Sequence, residues 1–158
     1  MKNLLNAILT KLQEVTELKY IDEDWNQLSD YPNSPVKFPC ALVDFQIPYK
    51  MDYLNKQQTD TYSVSIVVCT TRLSNSSRNA PATQKQKAFE IYDIVDQIHE
   101  KLHGWSPTND AQRLIDKSLS KEYQNGIKKM TMTFEVEYTK PVKTTRVPVM
   151  VGLQVSED

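Results

Sequence analysis

Apolar residues near the start of the chain recur at three- and four-residue spacing. Leu4, Leu5, Ile8, Leu12 and Val15 fall on one side, while Lys11, Gln13, Glu14 and Glu17 fall elsewhere. That period predicts an amphipathic helix over residues 3–18. A longer helical pattern spans 83–103, where Ala88, Ile91, Val95, Ile98 and Leu102 form one seam with Tyr92 beside it. Gly104 follows at the position where a helix commonly stops in a left-handed turn.

Between and after the helices the period changes to two. Tyr20-Ile21 opens a short strand. Residues 39–48 place Ala41, Val43, Phe45 and Ile47 on one face, and residues 59–70 do the same with Tyr62, Val64, Ile66 and Val68. Such alternation marks half-buried strands, and the connection from Pro48 to Gln58 suits an antiparallel pair. Centring that pair near Leu54 sets Cys40 opposite Cys69, as two reduced thiols in a core. A weaker strand covers 112–123 with Leu114, Ile115 and Leu119; a strong one carries Met130, Met132, Phe134, Val136 and Tyr138. Asn125-Gly126 between them is a hairpin-turn signal. Two helices and four to six strands, mainly antiparallel, make an α+β domain over residues 1–140.

Composition narrows the function. The chain has 158 residues, with 19 Lys and Arg against 20 Asp and Glu, a net charge of −1. One domain of this size buries enough surface to stand without disulfides or metal. The balance lacks the basic excess by which nucleic-acid binders neutralise phosphates, so no specific nucleic-acid partner is expected. Three glycines leave no phosphate-cradling loop, and no cofactor motif occurs. Two cysteines do not make a secreted disulfide framework, and the N-terminal apolar patch, broken by Asn6, lacks a cleavage site. The uncharged run from Val147 to Ser156 falls far short of the roughly 18 residues that would span a membrane. These features lead us to expect a soluble, intracellular chain with no membrane partner.

Charge is segregated along the chain. Glu14, Glu17, Asp22, Glu23, Asp24 and Asp30 stand against Lys19 alone, whereas Arg72, Arg78, Lys85 and Lys87 lie in a span with no acid between Asp60 and Glu90. The polar loop 71–81 is either a solvated connection or a basic finger that orders on a partner. A second basic cluster, Lys140, Lys143 and Arg146, precedes the alternating Val147, Val149, Val151, Leu153 and Val155. The segment 141–158 therefore reads as a last strand or as an arm added to a neighbouring subunit. These seven basic residues are the candidate interaction set.

One motif carries catalytic chemistry. His99-Glu100-Lys101-Leu102-His103 matches HExxH, in which imidazoles four apart on a helix share a metal and the Glu acts as general base. A catalytic zinc requires a third protein ligand, and these are the only two histidines. Gly104 also ends the helix at once. A small zinc-dependent hydrolase built on His99, Glu100 and His103 is the competing reading; the other is that both imidazoles edge the core. Trp25 and Trp105 sit in loops, which they are expected to anchor.

The order of elements, the strand opening Phe38-Pro39-Cys40-Ala41-Leu42-Val43, the helix end Leu102-His103-Gly104 and the final Phe134-Glu135-Val136-Glu137-Tyr138 resemble phage tail-terminator and tail-completion proteins. The resemblance covers about residues 1–140. It implies a non-enzymatic subunit without catalytic residues or cofactor, which assembles into a ring, usually six-fold. The ring would cap the tail tube and present the surface that joins the head, with tail-tube and neck proteins as partners. Location would be the bacterial cytoplasm during assembly, then the virion tail or neck. Such a ring needs two different complementary surfaces on each subunit, which the segregated charge can supply.

Overall fold

The computed structural model describes residues 1–29, 31, 33–46, 50–54, 57–71 and 76–141. Helix α1 (Lys2–Leu12) is followed by β1 (Tyr20–Glu23), β2 (Cys40–Phe45), β3 (Lys50–Leu54) and β4 (Gln57–Thr71). Helix α2 (Ala82–Leu102) then leads to β5 (Ile115–Gln124) and β6 (Ile127–Pro141). The expected α+β class is the one observed. The sheet order is β1-β2-β4-β6-β5, with β3 also paired to β4. Every pairing is antiparallel except β1 with β2.

One face of the sheet is covered by the helices. Alternation places Ala41 and Val43 of β2, Tyr62, Val64, Ile66 and Val68 of β4, and Met130, Met132, Phe134 and Val136 of β6 on that face. Leu4, Ile8 and Leu12 of α1 and Ile91, Ile94, Val95, Ile98 and Leu102 of α2 close over them. The opposite face holds a smaller cluster, where Val36 and the partly buried Leu28 and Phe38 cover Cys40, Leu42, Cys69 and Ile127. Beyond this cluster the same face carries Ser63, Thr131, Thr133, Glu135 and Glu137, the polar complement of the alternation.

Several boundaries depart from the sequence pattern, each for a local reason. Helix α1 stops at Leu12 rather than at 18. The amides of Gln13, Glu14 and Val15 bond to carbonyls only three residues back, and the tightened turn still delivers Val15 to the core. The first long strand ends at Phe45, and the expected long connection contains β3 instead. In β2 the register is Phe45↔Val64, whereas in β3 it is Lys50↔Thr61, so the two segments share the β4 edge with two extra residues between them. Cys40 does pair with Cys69. In the weak strand, Leu114 enters the core while Ile115 and Leu119 stay exposed. Residues 142–158, expected to form a last strand or arm, lie outside the described residues.

Candidate functional site

The helix layer is narrower than the sheet. Helix α1 packs on β1 and β2, and α2 packs on β4, which leaves the helix-side face of β5 open. Leu119, Lys121 and Tyr123 project there beside one flank of α2, and both Leu119 and Tyr123 are 55 % exposed. Near the start of α2 the opening deepens into a groove of about 480 Å³ lined by Lys87, Phe89 and Tyr92 of the helix and Lys121, Glu122, Tyr123 and Lys128 of the sheet, Glu122 standing opposite Lys129 in the β5–β6 ladder. Phe89 and Tyr92 stand with ring centroids 6.2 Å apart, and the Lys128 ammonium lies 3.9 Å from the Tyr92 ring centroid. A hydrogen bond with Lys128 and its charge, against a smaller upward push from burial, hold the Tyr92 phenol below its ordinary pKa; Lys121 adds to the lowering. Aromatic rings with three ammonium groups against one carboxylate suit an acidic segment that carries an aromatic or apolar anchor.

The other edge of the sheet presents the opposite chemistry. After β1 the chain turns sharply at Asp24, Trp25 and Asn26, the last with φ 69°. The amide of Asn26 donates to Oδ1 of Asp24, an Asx turn in which a short side chain replaces a backbone acceptor. Gln27, only 2 % exposed, accepts from the Trp25 amide and donates to the Glu23 carbonyl. The Asp24 amide is fixed on the Val43 carbonyl. On this corner the Trp25 indole is 59 % exposed, its Nε1 donating over 3.3 Å to Asp22. Trp105 behaves as a loop anchor should, packing on the core with Lys11 over its ring. Trp25 does not: hydrogen bonds hold its corner, and the indole is left outward.

The predicted interaction residues divide. Lys87 opens onto the α2–β5 groove. Arg78 and Lys85 meet at the entry to α2, where the Lys85 ammonium donates to the Arg78 carbonyl over 3.2 Å. Lys140 is not grouped with them; its ammonium closes on Asp60, on the other side of the core. Arg72, Lys143 and Arg146 lie outside the described residues. Sequence reasoning missed Lys121 and Lys128, because they belong to a span of mixed charge and gather with Lys87 only through the β5–β6 hairpin. The acidic stretch also divides. Hydrogen bonds from Lys11 and Lys101 hold the Glu14 carboxyl below its usual range, and an amide hydrogen bond from Gln97 does the same for Glu17. Those two carboxylates tie the turn after α1 to α2, Asp22, Glu23 and Asp24 surround the Trp25 corner, and Asp30 lies outside the described residues.

The HExxH residues are arranged for packing. The His99 and His103 rings stack with centroids 5.0 Å apart and planes 10° apart, at the end of the exposed strip. His99 Nε2 lies 3.4 Å from Oδ2 of Asp116, and His103 Nδ1 accepts the Asp116 amide over 3.3 Å. Among the described residues the topology adds Asp116 to the pair, an acid on β5 that no spacing in the chain links to the motif. Glu100 is exposed. Among the described residues no group of three His, Cys, Asp or Glu is arranged to hold a metal ion. Also among the described residues, no helix is long and apolar enough to cross a membrane.

No protein-family model matches the chain, and no curated protein matches it. Among solved structures, it is similar to a chain from the virion of a native gene transfer agent particle. The two share 9 % identity with a TM-score of 0.53, over 85 % of this chain and 93 % of the other. At that identity the likeness is one of fold.

Proposed function

We propose that this chain is a structural, non-enzymatic subunit of a phage-like virion. Within that class we assign it to a ring that terminates the tail tube and joins it to the head. The observation that carries the reading is the fold shared along nearly the whole length of a virion chain. The sequence resemblance to tail-terminator and tail-completion proteins points the same way and supplies the finer role. Two edges of unlike chemistry on one sheet support assembly by a head-to-tail contact, which is how identical subunits close a ring.

The test is assembly. Tails produced without this chain are incubated with the purified protein and viewed by negative-stain electron microscopy. The expected result is a disc of added mass at one end of each tube and a gain of head attachment. Reversing Arg72 and Arg78 together, in the basic stretch that would meet tube or neighbour, is expected to abolish that addition. Tubes that stay bare, or that acquire the chain along their whole length, would overturn the role.

A further inference from the structure

We infer that the Trp25 corner of one copy docks in the α2–β5 groove of the next. This rests on the ring reading and names the two surfaces that make its contact.

The corner has the marks of an anchor made before binding. An indole left 59 % exposed forgoes most of the stabilisation its burial would give the fold. The chain nevertheless fixes its backbone through Asp24, the buried Gln27 and the Val43 carbonyl. Little conformational freedom is then left to lose on docking, and Trp is among the residues that dominate such contacts. Asp22, Glu23 and Asp24 give the anchor a negative rim.

The groove answers each feature. Phe89 and Tyr123 offer aromatic surface beside Tyr92, whose ring carries the Lys128 ammonium, and Lys87, Lys121 and Lys128 against the single Glu122 leave the groove positive. Its volume of about 480 Å³ is ample for an indole with its flanking backbone. Like charges face each other if groove meets groove or corner meets corner, so the pairing is corner to groove. Because β1 and β5 are opposite edges of one sheet, a copy cannot satisfy its own groove and the contact passes from subunit to subunit.

Two variants of the full chain test this. Trp25→Ala removes the anchor and leaves the groove intact. Lys87→Glu with Lys121→Glu reverses the rim and leaves the corner intact. Native mass spectrometry and sedimentation velocity of the unaltered chain should show a closed oligomer, and each variant should weaken self-association at least tenfold. An equimolar mixture of the two variants retains one good corner and one good groove, so it should stop at a dimer of one of each. Variants that assemble like the parent, or a mixture that gives no mixed dimer, would overturn the contact while leaving the ring reading standing on other surfaces. A parent chain that stays monomeric but needs Trp25 to bind tail tubes would assign the corner to the tube and overturn it as a self-contact. A parent chain that neither self-associates nor binds tubes would sink both readings.

Discussion

The ammonium of Lys140 lies 2.6 Å from Oδ2 of Asp60, so β6 supplies the cation for a carboxylate of β4 that is only 1 % exposed. Gln58 donates to the other oxygen over 2.5 Å, and the Tyr62 hydroxyl reaches Oδ2 over 3.4 Å. Burial pushes the Asp60 carboxyl up, but the hydrogen bonds from Lys140 and Gln58 and the Lys140 charge hold it below its ordinary value. A group whose folded pKa is depressed contributes stability that is fully present above its unfolded value, about 3.9, and is lost as pH falls through the folded value. Urea unfolding of the parent should therefore hold steady from pH 7 to pH 5 on this account and weaken below about pH 4. Lys140→Met should cost about 1–3 kcal/mol at pH 7, less than a fully buried pair because the lysine is half in solvent. Its stability should also fall less than the parent's below about pH 4, because without Lys140 burial moves the folded Asp60 value up toward the unfolded one. An unchanged urea midpoint at pH 7 would show that Gln58 and Tyr62 suffice for the carboxylate.

The β5–β6 turn has Asn125 at φ 50° and Gly126 at φ 77°, the two left-handed residues that match the twist of a hairpin. A methyl group at Gly126 would meet nothing within 4 Å, so its cost is conformational alone. Gly126→Ala should lose about 1 kcal/mol, or about 2–4 °C in Tm. Asn125→Val should lose more, since a β-branched residue is worse there. A calorimetric Tm that rises with Gly126→Ala would show that the turn adopts another conformation.

Cys40 and Cys69 are both free and buried. A hydrogen bond with Cys69 and burial push the Cys40 thiol far above its usual range, so it does not form the reactive thiolate. Maleimide at pH 8 should label neither cysteine in the native protein and both in denaturant, read by intact mass. Rapid native labelling would mean that the Val36 and Phe38 cover opens.

Zinc added to the full chain should leave Tm unchanged, and His99→Ala with His103→Ala should respond identically. A site that bound zinc at a hundredfold its Kd would contribute about 2.7 kcal/mol, which a melting curve resolves. A zinc-dependent rise that vanishes in the double variant would restore the hydrolase reading.

Strand and helix identities were legible wherever burial imposed a period. The α2 seam, the alternations of β4 and β6, the Asn125-Gly126 turn and the Cys40–Cys69 register could all be read from the chain. β3 was missed because the extra residues after Phe45 break the alternation that a single long strand would show. β5 was read weakly, since its exposed position imposes no apolar face on Leu119 or Lys121. The candidate surfaces were half legible. Lys87 stood in a basic run, but Lys121 and Lys128 join it only through pairing, and the outward setting of Trp25 depends on Gln27, a polar residue that nothing in the sequence marks as buried.

The pairing of β4 with β6 also constrains how the chain reaches its fold. These central strands are joined along their whole length, yet all of α2 and β5 lies between them in sequence. The earlier elements can form local contacts as they are made, but Phe134, Met132 and Val136 arrive late to fill the space beneath α2. Closing so large a loop before its contacts repay the entropy is slow, and until then the apolar side of β4 stays accessible. The core is therefore closed from the far end of the chain, and a fragment that ends before β6 should leave the apolar side of β4 open to aggregation.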